Sequence, residues 1–246
     1  MHDFSERTLV LSGAAGGIGR RIAIRFFKAG ANLMLGDVNL AALKSLVEYE
    51  FAEAPERVAV FELDAGSSAS NAEFARAAAD SFGTIDFLVL GAAIHPQGKI
   101  ATMSDSEWDR VMQINLDSCF YLCKAAIPAL SSGASIVGIA SQAGHRGSKV
   151  SPHYAATKGA MIALVRSLAW ELGPDVRANA VSPGVIKTPM TADMDESHVT
   201  ALHDQTPLRL LGSSDEVASV IEFLCSDDAS FVNGEVIHVN GGLYMA

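Results

Sequence analysis

TLVLSGAAGGIGRRIAIRFFKAG, residues 8–30, reads as one strand, one turn and one helix in succession. The run at 8–12 is apolar and β-branched enough for a buried strand. It feeds Gly13-Ala14-Ala15-Gly16-Gly17-Ile18-Gly19, and an amphipathic stretch then runs to Gly30. A glycine-rich strand-to-helix turn lets backbone approach a pyrophosphate, whose charge is favoured by the helix N-terminus. Such a turn is a weak signal alone. The next strand-like run, 32–36, ends at Asp37, 18 residues beyond Gly19, where a carboxylate is placed to accept hydrogen bonds from adenosine ribose hydroxyls.

A second constellation carries chemistry. Ser141 is followed thirteen residues later by Tyr154 and, four residues further, by Lys158 in YAATKGA. If 152–173 form a helix, Tyr154 and Lys158 stand one turn apart on the same face, with the ammonium beside the phenol. Bringing a tyrosine from a pKa of about 10 towards neutrality requires roughly 4 kcal/mol of phenolate stabilisation, which a fixed cation can supply. A serine hydroxyl at a strand end can then hydrogen-bond a substrate oxygen whose charge changes as a hydride moves. Taken alone, Tyr154 reads more readily as packing and Lys158 as solvated surface. The glycine turn and Asp37 tip the balance to a site.

The rest of the chain bounds the fold. Its 246 residues suffice for one large core, with no linker, repeat or low-complexity segment. Strands are expected near 8–12, 32–36, 57–63, 85–91, 134–140, 176–182 and 235–239, separated by helical stretches, which implies parallel pairing through crossovers. Apolar runs such as IDFLVL and SIVGIA suit a sheet covered on both faces. The start MHDFSERT lacks the features of a signal peptide and no apolar run approaches the ~20 residues of a membrane span, so a cytoplasmic protein is expected. Cys119, Cys123 and Cys225 show no metal-type clustering and read as reduced thiols; no metal site is assigned. A formal charge of −10 argues against nucleic acid or anionic membrane as a partner.

On these residues the chain resembles the short-chain dehydrogenase/reductases of the single-domain kind. The matching pieces are SGAAGGIG at 12–19, Asp64-Ala65, Asn115 in INLDS, Ser141 in IASQAG, YAATK at 154–158, SPGVIKTPM at 182–190 and NGEVIHVNGG at 233–242. The resemblance implies a Rossmann-type doubly wound α/β fold, a seven-stranded parallel sheet with helices on both faces. One domain would span 1–246, with a substrate lid at about 187–212. It implies Tyr154 as general acid/base, Lys158 depressing its pKa and holding the nicotinamide ribose, Ser141 positioning the substrate oxygen, and Asn115 holding a water that links Lys158 to solvent. Ser12, Gly13, Gly17, Ile18, Gly19, Asp37, Asp64, Ala65, Gly91 and Ala92 would hold the adenosine and pyrophosphate side of a dinucleotide. Pro183, Gly184, Ile186 and Thr188 would surround the nicotinamide. Two departures stand out. Ser12 replaces a usual threonine, and Leu90-Gly91-Ala92-Ala93 replaces the usual Asn-Asn-Ala-Gly, so the central strand is expected to be held there by packing.

NAD is the expected cofactor. Asp37 would repel a 2′-phosphate by a few kcal/mol at an effective dielectric of ~20, and Ala14, Ala15, Gly16 and Val38 offer no compensating charge. Arg20 and Arg21 are expected to face solvent or a carboxylate. His95, Gln142, His145, His153 and Met190 are candidate substrate contacts, His145 first among them. Asp193, Asp195, Glu196 and the net charge disfavour an anionic substrate or an acidic carrier. They point to a neutral alcohol or ketone: a polyol, sugar, cyclic alcohol or hydroxy-ester. A 3-oxoacyl thioester reductase is the alternative, and a catalytically silent NAD-binding sensor or scaffold is the alternative of another class. The resemblance also implies a homotetramer built on helices near 104–130 and 152–173 and the C-terminal region. Sedimentation at micromolar concentration checks this: a species of only 25.8 kDa contradicts it.

Overall fold

The computed structural model describes residues 2–191 and 195–245. In chain order the elements are β1 Thr8–Ser12, α1 Gly17–Lys28, β2 Asn32–Asp37, α2 Leu40–Glu50, β3 Val58–Glu62, α3 Ser68–Phe82 and β4 Ile85–Leu90. Then come α4 Asp105–Met112, α5 Ser118–Ala126, β5 Leu130–Ile139, α6 Ala143–Arg146, α7 Pro152–Leu172, β6 Val176–Pro183 and β7 Ile186–Lys187. The chain closes with α8 Glu196–Gln205, β8 Gly212–Ser213, α9 Ser214–Cys225 and β9 Val236–Val239.

Seven strands form one sheet in the order β3-β2-β1-β4-β5-β6-β9, every neighbouring pair parallel. Side chains alternate across it. Leu9, Leu11, Phe87, Val89 and Val137 pack towards Ile22, Phe26 and Phe27 of α1 and Val217, Ile221 and Leu224 of α9. Val10, Leu88, Leu90 and Ile136 pack on the other face with Phe74 of α3, Leu122 of α5 and Met161 and Val165 of α7. Both faces are therefore covered, the situation that makes continuous apolar runs read as strands.

The order reverses at β1, which lies between β2 and β4. Crossovers leave on opposite sides of that point, so the carboxyl ends of β1 and β4 open a crevice, the usual ligand position in such a sheet. Two residues set its floor. A Cβ on Gly13, whose φ is +75°, would lie 2.7 Å from the Gly91 carbonyl oxygen, and a Cβ on Gly91 would lie 2.7 Å from that of Ser12.

Strand expectations agree with the structure within a residue or so, except at β5. It begins at Leu130 rather than 134 because its pairing with β4 shifts register between Ile85 and Phe87, where Gly133 turns with φ +85°. The helix expected near 104–130 is interrupted by a π turn over Gln113–Asp117 and ends in a 3₁₀ turn over Ile127–Ala129. The segment expected as a lid is tied at both ends. β7 pairs in parallel with β8, a ladder too short for its sequence to announce.

Candidate active site

At the carboxyl end of β1, the chain turns through the glycines into α1, whose N-cap is Gly16. No side chain caps this helix and its first turn carries no acidic residue. The first-turn N–H groups, which have no helical partner, are thus left for an anion at the positive end of the dipole. Gly17 is needed at its own position, since a Cβ there would come 3.0 Å from Cβ of Thr188. At the end of β2, the Asp37 carboxylate accepts the N–H groups of Ala15 and Asn39, each at 3.0 Å, which fixes it at the rim. Arg20 pairs with Glu50 at 2.5 Å and Arg21 with Asp215 at 2.7 Å, as the sequence suggested, so neither offers a free cation near Asp37.

A cleft of ≈ 1690 Å³ runs from Asp37, Val38, Asp64 and Ala65 past the glycine turn and Gly91-Ala92 to Ser141, Tyr154 and Lys158, with Pro183, Gly184, Ile186 and Thr188 along one wall. It gathers all the expected dinucleotide contacts except Ser12, which lies behind the wall. There the Ser12 hydroxyl accepts the N–H groups of Gly91 (3.1 Å) and Ala92 (3.3 Å). The expectation that packing alone holds this strand end is corrected: a hydroxyl from β1 does much of it. An uncapped helix start, a cradle that admits no Cβ and a fixed carboxylate at the rim together fit a nicotinamide dinucleotide.

At the other end, Ser141 follows β5, and its Oγ accepts the Ala143 N–H at 3.2 Å. Tyr154 and Lys158 stand one turn apart near the start of α7. Lys158 is 2% exposed; its Nζ donates to the Ile139 carbonyl at 2.6 Å and lies 5.5 Å from the Tyr154 ring centroid. Burial pulls the Lys158 ammonium down to about 8, partly opposed by Cys119. Burial likewise raises the Tyr154 phenol above its ordinary value, opposed by the Ser141 hydroxyl. The expectation that Lys158 lowers the Tyr154 pKa is corrected for the protein alone. Desolvation is the largest influence on Tyr154 and favours the protonated phenol.

Asn115 does not line the cleft. It is wholly buried in the π turn and clamps the loop after β4, accepting the Ile94 N–H at 2.8 Å and donating to the Ile94 carbonyl at 2.9 Å. A longer contact of 3.4 Å reaches Thr157 Oγ1, which donates to the Tyr154 carbonyl at 2.8 Å. The Asn115 carbonyl accepts the Cys119 thiol at 3.4 Å. Asn115 therefore joins the loop after β4 to the helix that carries the phenol. A π turn placed beside a working site is a recurrent device.

Of the substrate candidates, His95 and Gln142 line the cleft. The His95 ring lies 4.4 Å from that of Tyr154, and burial lowers its pKa. Gln142 is 8% exposed with its Oε1 lacking a partner among the described residues. His145 and His153 are not on the cleft. His145 packs against His238 and Tyr244 near the C-terminus, and His153 is buried in the first turn of α7. Met190 falls in the 3₁₀ turn Pro189–Thr191, its side chain outside the described set, as is Asp193. Sequence reading missed Arg110, Arg146 and Lys149 on the cleft wall. The last two fall between Ser141 and Tyr154 in the chain, so their charge was the available signal.

Comparison with known proteins gives a consistent picture. A family model described as Enoyl-(Acyl carrier protein) reductase matches residues 13–244. The 3-oxoacyl-[acyl-carrier-protein] reductase of Thermotoga maritima is 34% identical over 240 residues, covering 96% of this chain and 97% of that protein. The (2S)-[(R)-hydroxy(phenyl)methyl]succinyl-CoA dehydrogenase subunit BbsD of Thauera aromatica is 33% identical, with 96% of each chain covered. A Brucella melitensis crystal structure described as a short-chain dehydrogenase/reductase, glucose/ribitol dehydrogenase, superposes with a TM-score of 0.97 at 49% identity over 100% of both chains.

The buried lysine generates a stability prediction. Lys158 releases its proton near pH 8 when folded but near 10.5 when unfolded, so the unfolded state binds more protons in between and stability gains from this residue as pH rises through that window. In Lys158→Met that gain is absent. The stability difference between the two proteins, measured by denaturant unfolding at pH 7.5 and 9.5 and fixed concentration, should shift in favour of the wild type at the higher pH.

Proposed function

The chain belongs to the short-chain dehydrogenase/reductase family, and on that premise we propose that it is an NAD(H)-dependent oxidoreductase interconverting a 3-oxoacyl and a 3-hydroxyacyl thioester within a single dinucleotide-binding and catalytic domain. The observation that carries the reading is the meeting of Ser141, Tyr154 and Lys158 at one end of a cleft whose other end presents Asp37. The thioester half draws on the Thermotoga maritima and Thauera aromatica relatives, whose names favour it over the neutral polyol, sugar, cyclic alcohol or hydroxy-ester that the net charge suggested. The neutral polyol stands as a second reading, because the Brucella melitensis structure at 49% identity is described as a glucose/ribitol dehydrogenase.

Bound in the cleft, a nicotinamide dinucleotide supplies or accepts the hydride. The residues that would hold it are the Gly13–Gly19 turn at the pyrophosphate, Asp37 at the adenosine ribose, Asp64 and Ala65 at the adenine, and Pro183, Gly184, Ile186 and Thr188 at the nicotinamide. Lys158 would reach the second ribose. Tyr154, held as a neutral phenol by burial, is a competent general acid: it donates its proton to the substrate carbonyl oxygen as that oxygen gains charge. Ser141 hydrogen-bonds the same oxygen. Asn115 acts at one remove, fixing the loop after β4 and the start of α7 against each other. A silent sensor has no use for this arrangement.

Two outcomes test the proposal. Tyr154→Phe should lower kcat for a 3-oxoacyl thioester by roughly 10²- to 10⁴-fold while NADH affinity, read by calorimetry, stays within about threefold; an undiminished rate would remove Tyr154 from the chemistry. A carboxylate set against a phosphate costs about 3 kcal/mol at a dielectric of ~20. The kcat/KM with NADH should therefore exceed that with NADPH by roughly 10²-fold, and Asp37→Ala should erode the gap. A native preference for NADPH would overturn the cofactor assignment.

A further inference from the structure

Several cations of this chain are held by partners of their own. Arg7 pairs with Asp86 and Asp227, Arg20 with Glu50, Arg21 with Asp215, Arg25 with Glu222 and Arg209 with Asp204. Arg177 is bonded to backbone carbonyls and Arg57 to carbonyls beneath α1. Besides the buried Lys158, three cations line the cleft, Arg110, Arg146 and Lys149, and none of the three has a carboxylate within 4.0 Å or a side-chain hydrogen bond among the described residues. Of these three, Arg146 and Lys149 come from one short segment of a chain whose net charge is −10.

Their place in the chain puts them on the substrate side. Arg146 stands five residues past Ser141 and Lys149 five residues before Tyr154, so both lie on the segment joining the two reactive hydroxyls. That segment is braced. Gly147 turns it with φ +79°, and Ser148 Oγ accepts the N–H groups of Val150 (3.3 Å) and Ser151 (3.1 Å). It is also stitched to the loop after β4: Gly98 N–H donates to the Val150 carbonyl at 2.7 Å, and Ser151 Oγ donates to the Pro96 carbonyl at 3.0 Å. The carboxylates on the cleft wall, Asp37 and Asp64, belong to the opposite, adenosine end. The cleft is thus acidic at one end and basic at the other.

We propose that Arg146 and Lys149 form an anion subsite that takes the phosphate groups of the pantetheine portion of a thioester substrate. This inference rests on the thioester reading and names the part of the substrate that the catalytic residues do not touch. It also corrects the expectation from net charge. Surface charges more than ~8–10 Å away are screened at physiological ionic strength, whereas Arg146 and Lys149, although exposed, lie on the cleft itself and would meet a bound phosphate at contact distance. A neutral polyol leaves the two cations without a partner. A phosphate-bearing thioester satisfies both.

The test compares two 3-oxoacyl thioesters of the same acyl chain, one of coenzyme A and one of the neutral N-acetylcysteamine. The ratio of kcat/KM for the coenzyme A ester to that for the neutral ester should fall about tenfold in Arg146→Ala/Lys149→Ala, mostly through KM. Arg146→Lys should restore part of it, and added salt should lower the wild-type ratio. An unchanged ratio in the double variant overturns the subsite. Should the wild type turn over neither ester, the thioester reading fails by itself. The subsite is then read by calorimetry of free coenzyme A against protein saturated with NADH: binding lost in the double variant upholds it, and no binding, or equal binding, overturns it. A carrier-protein thioester as a third arm distinguishes the sources of the phosphate.

Discussion

The arrangement depends on one buried ammonium. Lys158 is almost wholly withdrawn from water with a single short bond to the Ile139 carbonyl, and the free energy of that withdrawal shows in a pKa brought down to about 8. The fold tolerates this because Lys158, near the start of α7, meets the Ile139 carbonyl at the carboxyl end of β5. The same burial holds Tyr154 as a phenol. A protonated acid and a cation of moderated affinity for its proton are a sensible pair for delivering a proton to a carbonyl and then recovering one.

Around that pair, the crevice is held open by backbone rather than by side chains. Gly13 and Gly91 bring the ends of β1 and β4 closer than any Cβ would allow. The departure Leu90-Gly91-Ala92-Ala93 removes amide side chains from this point, and two polar groups from elsewhere act in their place. The Ser12 hydroxyl takes the Gly91 and Ala92 amides, and Asn115 takes both backbone groups of Ile94. Each is nearly or fully buried, so each bond replaces one that water would otherwise supply, and its loss would leave an unsatisfied amide costing on the order of 1–3 kcal/mol.

Much of this was legible in the sequence, and the reasons differ from element to element. The strands 8–12 and 176–182 could be read because both faces of the sheet are covered and apolar residues run unbroken. The start of β5 could not, because Leu130-Ser131-Ser132-Gly133 pairs through a register shift that leaves no periodic mark. That Ser141, Tyr154, Lys158 and Asp37 would line one cleft was legible because the chemistry they suggest demands those residue types at those spacings. His145 was misplaced: proximity to Ser141 in sequence says nothing of direction, and α6 turns it towards His238 and Tyr244. The anion-ready cations escaped notice because net charge was read over the whole chain rather than over the cleft. The desolvation of Tyr154 was not legible either, since a neighbouring cation can be seen in a sequence and burial cannot.

The central claim is that the crevice between β1 and β4 holds a nicotinamide dinucleotide with its adenosine at Asp37 and its nicotinamide beside Tyr154. A crystal structure of the protein grown with NADH tests it most directly. The account predicts density running from the Asp37 carboxylate, across the amides that open α1, to within hydride-transfer distance of a carbonyl placed at Ser141 and Tyr154. A dinucleotide lying the other way round, with its adenosine at Arg146 and Lys149, or bound outside this cleft, would contradict it.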